Sequence, residues 1–305
     1  GGRPVDNERR RKRRRKRIMK ALIAWAVCIL LVGLIAVGTV RVVSSVASSK
    51  KRQFRQDGIE KLVSGDYTGA IEAFDTALEK SGKKSDGFNS DVLGYRAEAE
   101  YKLRDYEAAV HTYGLLLEMK PDTAVYLYAQ SMCYAHLGDT DNAIDRYHAG
   151  NAVQKEDKDE AGRQEALFAA GGACVDAGEY EKAMGLYQDA IREGVKHGQV
   201  YNQMGLCQIA EKDYQGALDS FNQGYETLVT GNSLGSGAEP AQAAAALNAD
   251  ARADMALLKE LVYNRAVAYE YLSEYKKALG LFEDYVSVFG PNEDAEHEIA
   301  FLKTR

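Results

Sequence analysis

The sequence predicts an all-α fold: an α-solenoid of about six helix pairs, preceded by a single transmembrane helix and followed by a capping helix. Two features carry that prediction. A short pattern of an acidic residue, usually an aromatic one, two variable residues, alanine, three variable residues and an aromatic recurs six times. Ahead of it, Ala21 to Val40 forms a run of twenty residues without a charge. Only four prolines punctuate the 305 residues, so little in the chain forbids long helices.

Residues 1–20 read as a basic cytoplasmic tail, with eleven Lys/Arg against Asp6 and Glu8 and an unbroken basic block from Arg9 to Arg17. Residues 21–43 read as a transmembrane helix, because twenty helical residues span roughly 30 Å, the thickness of a bilayer's hydrocarbon core. Trp25 lies near one end, where an amphipathic ring suits the headgroup boundary. The basic excess before the run places the N-terminus inside. The same block would gather anionic lipids near Arg9–Arg17. Residues 44–50 read as a short juxtamembrane linker. Ser45-Val46-Ala47 offers a cleavage site after Ala47, but the apolar run exceeds a signal peptide's usual core, which favours an uncleaved anchor. The resulting expectation is a single-pass protein of a bacterial cell membrane with its repeats extracytoplasmic.

Charge divides the chain sharply. Sixteen of the 39 Lys/Arg but only two of the 45 Asp/Glu precede residue 56, which leaves 23 basic and 43 acidic residues and a net charge of −20 after it. So acidic a body repels nucleic acid, and no nucleic-acid partner is expected.

The repeats occupy residues 51–292. Their key alanine and aromatic pairs are Ala70 and Phe74, Ala109 and Tyr113, Ala143 and Tyr147, Ala183 and Tyr187, Ala217 and Phe221, and Ala278 and Phe282. The alanines lie 39, 34, 40, 34 and 61 residues apart. About twelve residues before each stands a small residue (Gly58, Ala97, Ser131, Gly171, Gly205, Ala266), and four before that a bulkier one. Small residues let two helices approach, and an aromatic four positions after an alanine shares its face and fills the gap. Gly65, Gly138 and Gly178 suit the left-handed end of a first helix. The acid that follows each favours the start of the second through capping and the helix dipole.

This spacing resembles the tetratricopeptide-repeat family over about residues 51–292, with two intervals equal to its 34-residue period. The resemblance implies a right-handed superhelix with first helices lining a concave groove. It also implies protein or peptide partners; the lack of any catalytic or metal-binding motif makes enzyme activity unexpected. Taking residues one helical face away from the buried ones, the groove would present Tyr101, Tyr128, Met132, Phe168, Leu206, Ile209, Tyr263, Val267 and Tyr271. Acids such as Glu98, Glu165, Asp176 and Glu270 are interspersed, so a basic segment with apolar anchors would fit. Some family members clamp acidic chaperone tails with Lys, Asn and Arg. Arg52 and Arg55 are basic here, but Asp91, Gly94, Val125, Tyr128 and Gln130 follow at the matching places, so that clamp is not expected.

Three stretches interrupt the array: polar Ser81–Ser90, charged Gln154–Gln164, and an insertion of about 232–258. The last opens with glycines and serines and continues from Pro240 as an alanine-rich helix, with 240–272 forming either one helix or two. Residues 293–305 read as the capping helix.

Little chemistry is visible. The five histidines match no metal spacing, and GNSLGSG lacks the Lys-Ser/Thr of a phosphate loop. Cys133, Cys174 and Cys207 fall on faces expected to be buried, and no zinc or redox spacing joins them or Cys28. No cofactor and no metal is expected. The reading is a membrane-anchored interaction scaffold, with a receptor for targeted proteins on an organelle membrane, its repeats cytosolic, as the alternative.

Overall fold

A computed structural model describes residues 46–82, 86–153, 162–247 and 252–305. Among these residues there are fourteen helices: α1 (Val46–Ser64), α2 (Tyr67–Ser81), α3 (Asp86–Leu103), α4 (Tyr106–Met119), α5 (Ala124–His136), α6 (Thr140–Val153), α7 (Arg163–Asp176), α8 (Tyr180–Arg192), α9 (Gly198–Ala210), α10 (Tyr214–Gly231), α11 (Pro240–Ala246), α12 (Arg252–Tyr271), α13 (Tyr275–Phe289) and α14 (Glu293–Leu302). They form six pairs, α1/α2 to α9/α10 and then α12/α13, with α11 inserted and α14 at the end.

All six turns within the pairs close in the same way. The residue before each acid takes positive φ: Gly65, Arg104, Gly138, Gly178, Lys212 and Ser273. Its amide donates back three residues, and the acid's amide donates back five, as in Asp66 N–H to the Lys61 carbonyl (2.9 Å) and Asp213 N–H to Gln208 (2.8 Å). These bonds satisfy carbonyls that the helix end would otherwise orphan. Gly65, Gly138 and Gly178 take the left-handed conformation expected of them, and Arg104, Lys212 and Ser273 adopt it at the other three corners.

Each acid's carbonyl then accepts from the key alanine's amide, from Ala70 (2.9 Å) through Ala278 (3.1 Å). The four aspartates also cap with their side chains. Oδ1 of Asp66, Asp105, Asp139 and Asp213 accepts from Gly69, Ala108, Asn142 and Gly216 at 3.0–3.2 Å. Glu179 and Glu274 make no such bond. Glu179 instead accepts from Thr140 Oγ1 (2.6 Å) and faces Lys182 (3.1 Å).

The chain resolves into two compact units. One holds the described residues up to Cys133 with those of His148–Gln164, and the other holds Tyr134–Tyr147 with Glu165–Arg305. In the first, Ile59, Leu62, Ala70, Phe74, Val92 and Tyr95 form a core in which the Phe74 and Tyr95 rings stack at 5.9 Å. In the second, one core runs from α10 through α14, built on Phe221, Leu258, Leu261 and Phe282. Burying each such side chain contributes roughly 1.5–3 kcal/mol.

The insertion belongs to the second core. Tyr225 Oη donates to the Ala238 carbonyl (2.7 Å), and the Glu226 carboxylate accepts from Ser236 Oγ (2.7 Å) and Gly237 N–H (3.0 Å). Pro240 opens α11, and Leu247 leaves it in extended backbone, so 240–272 is two helices. Residues 252–258, expected in the insertion, already belong to α12. At the end, Asn292 Oδ1 caps α14 through Ala295 N–H (2.9 Å), and Ala295 and Leu302 are buried.

The expected membrane localisation is corrected here. Among the described residues, no helix is long and apolar enough to cross a membrane. The long helices fail on composition: α12 carries Arg252, Asp254, Lys259, Glu260, Arg265 and Glu270, and α1 carries Lys50, Lys51, Arg52, Arg55, Asp57, Glu60 and Lys61. Each buried charge at a bilayer's centre costs about 2.5–3.5 kcal/mol. Residues 1–20 and 21–43, with the basic block Arg9–Arg17, lie outside the described residues. Residues 46–50, expected in a linker, are helical and start α1.

Candidate functional site

The small residues and aromatics of the repeat meet ring against backbone. A Cβ on Gly58 would lie 2.5 Å from Phe74, one on Gly171 2.1 Å from Tyr187, and one on Gly205 2.3 Å from Phe221. Ala70, Ala109, Ala143, Ala183, Ala217 and Ala278 are buried, as are Phe74, Tyr147, Tyr187, Phe221 and Phe282. Tyr113 is half-buried and packs beside Tyr126 at 6.2 Å. These residues hold helix to helix.

Those outer faces differ between the units. In the first, Tyr128 is fully buried. Its ring covers Gly150, where a Cβ would approach to 2.4 Å, and its Oη donates to Asn151 Oδ1 (2.8 Å). Tyr128 is therefore core, which corrects its expected place on a binding face. Tyr101 and Met132 are half-buried, with the Tyr101 ring edge-on to Tyr106 at 5.5 Å.

Arg55, one of the two basic clamp positions, is engaged within the fold. Arg55 is buried, ion-paired to Asp91, and held 5.3 Å over the Tyr95 ring. Gln130 donates to the Val110 carbonyl (3.0 Å). A clamp for acidic tails cannot draw on a guanidinium already neutralised within the fold.

In the second unit, Phe168 is half-buried between Tyr187 (6.5 Å) and His197 (6.1 Å). Tyr263 packs edge-on against Phe282 and Tyr285, both at 5.4 Å. Ile209 and Val267 lean on the core. Leu206 and Tyr271 stay 40% and 53% exposed, and the Tyr271 ring stacks on Tyr214 at 4.5 Å and 6°. Asn202 is buried and ties α9 to α12, donating to Glu260 (2.9 Å) and accepting from Asn264 (2.9 Å).

Sequence spacing left His197 without a role. It caps α9, its Nδ1 accepting from Gln199 N–H (3.2 Å), and burial lowers its pKa. Burial also pushes the thiols up, Cys133 to about 12 and Cys174 and Cys207 to about 11, so they are neutral and poor nucleophiles. Among the described residues, no group of three or more His, Cys, Asp or Glu could hold a metal ion.

Paired helices closed on an alanine, an aromatic and a small residue resemble tetratricopeptide repeats. The profile described as tetratricopeptide repeat matches residues 58–115 and, overlapping them, 95–149. No curated protein matches the sequence. Similar solved structures include YrrB, described as a tetratricopeptide-repeat protein with an unusual peptide-binding site. It shares 17% identity over 77% of this chain and 100% of its own, with a TM-score of 0.46. A tetratricopeptide-repeat protein from Parabacteroides merdae shares 17% over 84% and 99%, with a TM-score of 0.47. MamA shares 19% over 59% and 92%, also at 0.47.

Proposed function

We propose that this chain is a non-catalytic interaction module whose first-helix faces take segments of partner proteins that pair basic residues with apolar anchors. One observation carries the reading: Leu206 and Tyr271 stay 40% and 53% exposed on first helices of the second unit. That unit is acidic, its residues 134–147 and 165–305 holding 25 Asp/Glu against 12 Lys/Arg, a net charge of −13. Exposed anchors in an acidic field select cationic, amphipathic segments, by steering as well as by contact. In tetratricopeptide repeats the first helices line a concave groove, and the same faces would do so here.

Arrays of short peptides probed with the full chain test this. Spots combining Lys/Arg with Leu, Ile or aromatic residues should retain the protein, and acidic or purely polar spots should not. Uniform retention, or none on the basic apolar spots, would overturn the proposal.

A further inference from the structure

Elsewhere in this chain, aromatic faces are covered by the chain's own cations. Arg265 lies 4.4 Å over Tyr225, Lys277 5.2 Å over Tyr269, Lys259 5.6 Å over Tyr285, and Arg55 5.3 Å over Tyr95. Tyr271 is arranged differently. One face stacks flat on Tyr214, while the residue as a whole remains 53% exposed. Among the described residues, no cation of the chain lies over its ring. The stack fixes the ring before any partner arrives, so binding there orders little.

Acidic residues adjoin both members of the stack in sequence. Glu211 and Asp213 sit exposed on the turn that leads into Tyr214, and Glu270 directly precedes Tyr271. Lys212 is the cation of that turn, Lys276 stands exposed after Tyr275, and Glu274 is taken up by Lys277 (3.2 Å), which leaves an excess of one negative charge among Glu211, Lys212, Asp213, Glu270 and Lys276. Glu270 is half-buried, and its pKa is raised by desolvation and by the neighbouring Glu298 carboxylate, so an arriving cation stabilises its charged form. Leu206 is an aliphatic side chain 40% exposed on α9, a helix that Asn202 holds against α12.

We infer that the open face of Tyr271 is a docking point for an arginine of a partner segment, its guanidinium flat on the ring and within reach of Glu211, Asp213 and Glu270, with a neighbouring aliphatic residue against Leu206. Arginine fits better than lysine because a planar guanidinium stacks on a ring while forking toward carboxylates, whereas an ammonium is a compact, strongly hydrated charge. This locates the recognition of basic segments proposed above, and so rests on that reading.

The test uses the full chain and fluorescein-labelled peptides of alternating arginine and leucine, lysine and leucine, or glutamate and leucine, followed by polarisation. The arginine peptide should bind more tightly than the lysine one. Tyr271→Ala should weaken the arginine peptide by about five- to tenfold, and Tyr271→Phe should retain it. Gln188→Ala, exposed on a second helix, should leave it within about twofold, with all variants folded by circular dichroism. If wild type binds the arginine peptide but Tyr271→Ala binds it equally, or if lysine matches arginine, the docking point is wrong and the broader function stands. If wild type binds neither basic peptide above the acidic one, the broader function fails with it.

Discussion

Gly205 lies so close beneath the ring of Phe221 that a Cβ there would stand 2.3 Å from Cε1. The ring is fully buried and cannot swing into solvent. Gly205→Ala should therefore destabilise the fold by about 1–3 kcal/mol, as overpacking of a tight core does. Gly280, exposed in the middle of α13 with nothing near its would-be Cβ, should respond oppositely, Gly280→Ala adding roughly 0.5–1 kcal/mol. Urea denaturation of the two variants checks both signs.

Lys212 holds φ at 65° in the turn before Asp213, and Arg104 does the same before Asp105. A side chain in that region costs roughly 1–2 kcal/mol that glycine does not incur. Lys212→Gly and Arg104→Gly should each raise stability, less the extra freedom glycine gives the unfolded chain, by several tenths of a kcal/mol to about 1. Gly138→Ala, at φ 73°, should lower it by a similar amount. Shifts in thermal midpoint measure all three.

Stability should fall on both sides of neutral pH. Burial lowers the His197 pKa, so its contribution is complete above the unfolded histidine's value of about 6.5 and is lost as pH falls below it, when protonated Nδ1 can no longer accept from Gln199. His197→Asn, which retains a capping acceptor, should flatten the acid limb. On the alkaline side Cys133, Cys174 and Cys207 are raised, so their contribution is complete below about pH 8.5, where unfolded thiols ionise, and is lost as pH rises toward about 11. Denaturation midpoints at stepped pH trace both limbs.

Tyr128→Phe should cost about 1 kcal/mol for the lost bond to Asn151, whose Oδ1 still accepts from Arg163 (3.0 Å). Peptide binding should be unchanged. Tyr128→Ala should unfold part of the first unit, so a binding loss there reports on the core. Pairing each binding isotherm with a melting curve separates the two effects.

The helix pairs were legible in the sequence because their determinants are local: an acid, an alanine and an aromatic at fixed spacing. The corners at Arg104, Lys212 and Ser273 were not, since the tight turn imposes positive φ whatever residue stands there. Tyr128 was misplaced for a related reason. Helical spacing says which face it occupies, but only the packing of α6, with Gly150 vacant beneath the ring, says that the face is filled. The caps of Glu179 and Glu274 failed because one added methylene carries the carboxylate past its own helix amides. Leu206 and Tyr271 were legible as surface positions, whereas the stack on Tyr214, which makes Tyr271 rigid, joins residues far apart in sequence.

Photo-crosslinking addresses the central claim most directly, with the full chain carrying a photoreactive residue at Leu206 on a first helix or at Gln188, exposed on a second helix. Each is exposed to a mixture of the basic apolar and acidic peptides. The account predicts strong labelling of the basic apolar peptide at position 206, little at 188, and suppression at 206 by Tyr271→Ala. Equal labelling at the two positions, or labelling at 206 that ignores peptide charge, would contradict it.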